Sequence, residues 1–221
     1  MEHTIFVDIE TIPAQSPEVF EKYKAEVKAP GNLKKQESID AWLAENRERA
    51  AKDAIAKTSF DPAAGHICTI AWAVDDDDPV GAHAKTVDEE REVIEAFFGA
   101  LTSFHRYTFV GHNVASFDLR FIICRAIVLG ITIPQSIPRD PKPWDKTVFD
   151  TMTAWAGARG TISMDRLCEA LGLPGKDGFD GSMVAEAWAN GEHERITEYC
   201  ISDVEKTRAI WRRFDAVGWA A

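Results

Sequence analysis

Residues 6–13 read FVDIETIP, and the fold turns on how this stretch is read. The run HTIFVDIE (3–10) is apolar through Phe6 and Val7, then places Asp8 and Glu10 two positions apart. It predicts the first core strand. Side chains alternate along a strand, so both carboxylates face the same way at the end of an apolar run. Like charges held that close raise each other's pKa unless something positive lies between them. Taken alone, the pair also fits a strand ending in a polar turn with both acids in water.

Beyond this strand, residues 14–60 turn to Lys, Glu and Ala. EVFEKYKAEV (18–27) and ESIDAWLAENRERAAKDAIAK (37–57) predict two helices of an insertion, broken by APGN (29–32). Its slight basic excess, with Lys22, Lys24, Lys28, Lys34 and Lys35, fits a solvated flap or a guide for a polyanionic substrate; Arg208, Arg212 and Arg213 offer a second basic patch to such a substrate. HICTIAWAV (66–74) predicts the second strand and VGAHAK (80–85) a weak third. The DDDDP between them (75–79) lacks the alternating ligands and closing Glu of a calcium loop and reads as a hairpin turn.

DEEREVIEAFFGALTSF (88–104) predicts a helix and YTFVGHN (107–113) the fourth strand. SFDLRFIICRAIVLG (116–130) predicts a helix with Ser116 as N-cap and Gly130 as its stop. TVFD (147–150) is the fifth strand, with Asp150 as a helix cap, followed by helices over 163–172, 182–190 and about 192–215. Hairpin-joined strands, then strand–helix–strand, then helices, imply an α/β fold with a mixed five-stranded sheet. Three strands are expected antiparallel and two parallel, with helices flanking them. One domain is expected over 1–221, with the helical insertion at about 14–60 between strands one and two.

The formal net charge of −11 excludes a protein that coats nucleic acid through a broad basic surface. It leaves room for one that meets phosphates locally through metal ions. The four cysteines (Cys68, Cys124, Cys168, Cys200) form no C-x-x-C pair, and three lie in apolar runs, as buried free thiols do in a reducing cytoplasm. No signal peptide is visible, and FIICRAIVLGITI (121–133) is too short to span a membrane and contains Arg125. A soluble, cytoplasmic protein is expected.

Two further acids stand out. Asp118, in HNVASFDLRF (112–121), falls in the first turn of its helix, where the helix dipole favours a negative charge. In the last helix, Ile196, Cys200, Val204, Thr207, Trp211 and Phe214 trace a largely apolar stripe, with Tyr199 and Asp203 one turn apart along its edge. A carboxylate bordering a buried face needs a partner. Arg195, Lys206 or a cation shared with the other acids would each serve. Hard divalent cations such as Mg²⁺ favour carboxylate oxygens, and ions between Asp8 and Glu10 would remove their repulsion. Two such ions can hold a scissile phosphate between attacking water and leaving oxygen.

In order along the chain, FVDIET, HNVASFD and YCISDV resemble the three motifs of the DEDD superfamily of 3′-to-5′ exonucleases. Y-x-x-x-D, present as Tyr199 to Asp203, is the pattern of the tyrosine branch (DEDDy); the histidine branch would need His where Glu198 stands. LCEALGLPGKDGFDGSMVAEAW (167–188) leading into ERITEYCISDVEKT (194–207) is similar to stand-alone exonucleases related to the family B DNA polymerase proofreading domain. The resemblance covers nearly the whole chain except about 14–60.

The resemblance implies a ribonuclease-H-like fold and hydrolysis of phosphodiester bonds from the 3′ end of single-stranded nucleic acid, DNA favoured, releasing nucleoside 5′-monophosphates. It implies two ions, Mg²⁺ or Mn²⁺: one held by Asp8, Glu10 and Asp203, the other by Asp8 and Asp118. Tyr199 would orient the attacking water as a neutral phenol. Thr11 and Ile12 would line the pocket for the terminal nucleotide, and Asn113 would face the strand. Each of these three also reads as a turn or packing residue. Lys176 would touch phosphate or serve as a loop lysine, and His112 would shape its loop. An exoribonuclease and an inactive nucleic-acid-binding protein on the same fold are the alternatives; protein partners are not legible.

Overall fold

The structure is a computed structural model that describes residues 2–101, 106–142, 145–157, 159–175 and 178–219. Its strands are β1 (Glu2–Ile12), β2 (His66–Val74), β3 (Val80–His83), β4 (Arg106–Gly111) and β5 (Val148–Asp150). They form one sheet in the order β3-β2-β1-β4-β5, which puts the FVDIET strand in the centre. β2 and β3 run antiparallel, whereas β1, β4 and β5 run parallel, with Phe6 opposite Val110 and Gly111 opposite Asp150. The mixed five-stranded sheet flanked by helices is as expected.

Two compact units divide the chain: Met1–Glu10 with Ile67–Ala221, and Thr11–His66. The smaller unit carries α1 (Pro17–Glu26) and α2 (Gln36–Ala56), which pack on each other and match the helices expected there. Only Ala51 of α2 is buried, so little apolar surface holds that pair.

The larger unit adds α3 (Glu90–Ala100), α4 (Asp118–Leu129), α5 (Thr151–Ala156), α6 (Met164–Leu171), α7 (Val184–Ala189) and α8 (His193–Asp215). Strand alternation sorts β1 between two layers. Ile5, Val7 and Ile9 join Val93, Ile94 and Phe97 of α3 and Leu119, Ile122 and Ala126 of α4 in one apolar cluster. Phe6 joins Ala71, Ala73 and Val110 in another, capped by Cys200 and Val204 of α8. The small side chains at 71 and 73 let α8 lie close to the sheet. Both faces of the central strand are therefore occupied, and Asp8 and Glu10 fall on the side that α8 covers.

α4 begins one residue later than its sequence suggests. Phe117, not Ser116, holds the cap position and makes no side-chain cap bond, and Ser116 is exposed. The cause is a tight reversal after β4. Asn113 is left-handed (φ 66°), and the N–H groups of Phe117 and Leu119 bond back to the Asn113 and Val114 carbonyls. A Cβ at Gly111 would meet Val114 Cβ at 2.5 Å, so only glycine lets the chain turn there. At the other end Gly130, in αL conformation, stops the helix as expected.

Arg125, the buried cation of an apolar helix, lies against Glu90 of α3, with Nε at 2.8 Å and Nη2 at 2.7 Å from its carboxylate. Glu90 also accepts the Ile67 N–H at the head of β2, at 2.9 Å. One carboxylate thus ties α3, α4 and β2 together on the side of the sheet opposite α8. Removing one member leaves a buried charge without its counter-ion, so Arg125→Ala should lower unfolding free energy by about 3–5 kcal/mol, read by urea titration. A loss under about 1 kcal/mol would contradict this role.

Candidate active site

The alternation that buries Phe6 under α8 carries Asp8 and Glu10 onto the same side. Asp203 of α8 comes down beside them, so that carboxylate oxygens of Asp8, Glu10 and Asp203 all lie within 4.8 Å of one another. The Cys200 thiol fixes that placement, approaching both the Asp8 carbonyl and its carboxylate Oδ2 at 3.3 Å. Asp118 approaches from the other side as the first residue of α4. It is buried, and its Oδ1 accepts the Ile9 N–H at 3.1 Å, directly between the two acids of β1. The four acids named by the sequence converge, with three forming the tight group and Asp118 beside it.

Electrostatics at this point are unfavourable. Burial, then the charges of Asp118, Glu10 and Asp203, push the Asp8 carboxyl well above its usual range, against the bond from Cys200. Burial likewise pushes Asp118 up to about 7, opposed by backbone N–H bonds and reinforced by Asp150. The Tyr199 phenol is raised above its ordinary value by burial and then by the charges of Asp203 and Glu10, and stays neutral at physiological pH. Its ring packs against Phe179, centroids 5.0 Å apart. Of the two cations considered for Asp203, Lys206 is the partner, at 2.9 Å, while Arg195 pairs with Glu192 at 2.6 Å and lies over the Phe179 ring.

The other expected site residues are placed as follows. The Thr11 hydroxyl donates to the Ser59 carbonyl at 2.7 Å within the Thr11–His66 unit, and Ile12 is buried. Asn113 gives its N–H to Asp150 Oδ1 at 3.0 Å. Lys176 lies outside the described residues. His112 shapes its loop, with Nε2 donating to the Ile162 carbonyl at 2.8 Å and Nδ1 lying 2.9 Å from the Thr151 hydroxyl. The basic residues of the last helix that looked available to a polyanion are engaged. Arg208 donates to the Asp77 carbonyl and Arg212 pairs with Asp76, both at 2.6 Å, because their face of α8 meets the acidic β2–β3 turn.

Asp150 does more than the sequence showed. As the N-cap of α5 it accepts the Met152 and Thr153 N–H groups. The same carboxylate also accepts the N–H groups of Asn113 and Ala115, at 3.0 and 3.3 Å, latching the loop that leads to Asp118. The cap was readable from VFDT; the latch, across more than thirty positions, left no local signal.

Three close oxygen donors burdened by mutual repulsion suit a hard divalent cation, which favours carboxylate ligands and relieves that repulsion. A profile of the family described as "Predicted 3'-5' exonuclease related to the exonuclease domain of PolB" matches residues 60–218. The chain belongs to this family. The PolB-exonuclease-related match takes in Asp118, Tyr199 and Asp203 but starts after Asp8 and Glu10, whose association with the others rests on the geometry above.

A "DNA polymerase" of Pyrococcus glycovorans is 26% identical over 147 residues, 60% of this chain. The structure of the family B DNA polymerase from the archaeon Pyrobaculum calidifontis superposes with a TM-score of 0.59 over 96% of the chain at 17% identity, a likeness of fold. That fold is ribonuclease-H-like. The chain spans only 19% and 24% of those two proteins, respectively. Among the described residues no helix is long and apolar enough to cross a membrane.

The raised carboxyls predict a linked effect of pH and metal. Asp118 loses its proton near 3.8 when unfolded and near 7 when folded, so its contribution to stability is full below about pH 3.8 and is lost as pH rises through about 7. Divalent ions need the ionised forms. The rise in Tm on adding saturating Mg²⁺ or Mn²⁺ should therefore be larger at about pH 8 than at about pH 5.5, by scanning calorimetry. The opposite pull of His112, lowered chiefly by burial, does not reverse this difference, because a cation on Asp203 would lower it further. An equal or larger increment at the acid pH would contradict metal binding by these carboxylates.

Proposed function

We propose that this protein is a 3′-to-5′ exonuclease of the tyrosine subclass (DEDDy). It would remove nucleoside 5′-monophosphates from the 3′ end of single-stranded nucleic acid, DNA favoured, with two divalent ions, Mg²⁺ or Mn²⁺. The observation that carries the reading is the convergence of Asp8, Glu10 and Asp203 within 4.8 Å, with Asp118 bonded beside them and Tyr199 one turn from Asp203. Such ions, when bound, make water nucleophilic at neutral pH and neutralise charge on the departing 3′ oxygen.

The chain's own residues would do the rest. Asp8, Glu10 and Asp203 hold one ion, and Asp8 with Asp118 the second. Tyr199 bonds to Asp203, which fixes its hydroxyl at the edge of the acid group, where it orients the attacking water. A phenol this far from ionisation positions the water and takes no proton from it. Thr11, Ile12, Asn113 and Lys176 are proposed contacts of the terminal nucleotide and its phosphate. The chain is read as one exonuclease domain elaborated by the Thr11–His66 unit. The four cysteines, free and mostly buried, fit a reducing, cytoplasmic setting.

The acidic balance favours short-range engagement of a strand end over long tracking along a duplex. With Mg²⁺ or Mn²⁺ the protein should shorten a 5′-labelled oligonucleotide one nucleotide at a time, with matched DNA and RNA strands separating the two substrate classes. Asp8→Asn and Asp203→Asn should each reduce the rate by a factor of about 10² or more. Full activity in excess EDTA, or in either variant, would overturn the mechanism; strand binding without cleavage in any divalent metal would make the chain an inactive binding protein.

A further inference from the structure

Lys206 lies one turn beyond Asp203 on α8, its Nζ 2.9 Å from the Asp203 carboxylate. Both side chains are nearly withdrawn from water, at 10% and 8% exposure. Burying an ammonium is costly, and other helical pairs of this chain, such as Lys24–Glu21 and Lys52–Glu48, stay in solvent. The Lys206 ammonium is also 6.0 Å from the centroid of the Tyr199 ring. It therefore sits beside both residues that the last helix contributes to the proposed reaction. Arg195, Arg208 and Arg212 of the same helix are committed elsewhere, and the leading charges acting on Asp8 are all negative. A group of acids suited to divalent ions thus already holds a cation supplied by the chain.

We infer that Lys206 is an exchangeable counter-ion of this site. It pairs with Asp203 while no metal is bound, then yields that carboxylate to a divalent ion and turns its ammonium to a non-bridging phosphate oxygen of the substrate backbone. This deepens the exonuclease reading and rests on it. An ammonium and a divalent ion on one carboxylate repel each other, so Asp203 keeps one of them. The lysine stem has four flexible carbons, and its head is a point charge that needs no fixed geometry, so it can let go of one anion and take another nearby. A phosphodiester is the anion that the proposed substrate brings to this place. In the metal-free chain Lys206 offsets part of the carboxylate repulsion; with substrate present its charge remains where negative charge grows as the bond breaks.

The two states make opposite demands on one side chain, which separates this role from a structural bridge. Mn²⁺ binding, read from the electron paramagnetic resonance of the free ion, would be compared for the wild type, Lys206→Met and Lys206→Arg, with turnover of a 5′-labelled oligonucleotide on the same preparations. Lys206→Met keeps a flexible apolar stem and removes the charge; Lys206→Gln replaces it should that variant fail to fold.

The expected result is Mn²⁺ affinity raised about three- to ten-fold in Lys206→Met, with kcat/KM on the oligonucleotide lowered by a factor of about 10–10². Lys206→Arg should recover part of the turnover. Unchanged or weaker Mn²⁺ binding in Lys206→Met would overturn the exchange and leave Lys206 as a prop for Asp203. Tighter binding with undiminished turnover would overturn the phosphate contact. A wild type that binds Mn²⁺ but cuts no oligonucleotide would remove the exonuclease reading and the phosphate role with it; the exchange would still be decided by the Mn²⁺ comparison alone.

Discussion

Mutual repulsion among carboxylates at one end of the central strand is the constraint around which this molecule is arranged. Asp8 is held among Asp118, Glu10 and Asp203, and burial adds to the cost of ionising it. A fold seeking only stability would separate these groups or match each with a cation. Here the separation is prevented by specific bonds: the Cys200 thiol holds α8 against Asp8, and the Ile9 N–H holds Asp118 in place. Positive charge arriving among these carboxylates would relieve that repulsion, a demand that multiply charged cations suit.

The scaffold behind this arrangement braces the acids from both sides of the sheet. β1 is packed on both faces, by α3 and α4 on one side and α8 on the other, so its acids cannot drift. The Glu90–Arg125 pair anchors the α3–α4 side, and Asp150 latches the loop before Asp118 while capping α5. Asp8, Glu10, Asp118, Tyr199 and Asp203 thus each stand on a strand or helix. Carboxylates that repel one another need this kind of support to stay within reach of a shared ion.

Much of this was legible in the sequence, for reasons specific to each element. Period-two alternation in HTIFVDIE gave both the strand and the common direction of Asp8 and Glu10, and the apolar stripe of the last helix set Asp203 at its edge. Where interactions were non-local, the sequence was mute or misleading. Ser116 looked like an N-cap, but the left-handed turn at Asn113 delays α4 to Asp118. Arg208 and Arg212 looked free for a polyanion, but their helix face meets the acidic turn after β2. The choice between Arg195 and Lys206 was in principle available. Lys206 is three residues from Asp203 and shares its face, whereas Arg195 is eight residues away, about 12 Å along the axis.

The central claim is that Asp8, Glu10, Asp118 and Asp203 together cage divalent ions. Crystals of the protein equilibrated with Mn²⁺ and measured on either side of the manganese absorption edge test this most directly. The account predicts two anomalous peaks, one among Asp8, Glu10 and Asp203 and a second bounded by Asp8 and Asp118, with Lys206 no longer on Asp203. No peak at these carboxylates, or Lys206 still paired with Asp203 at full occupancy, would contradict it.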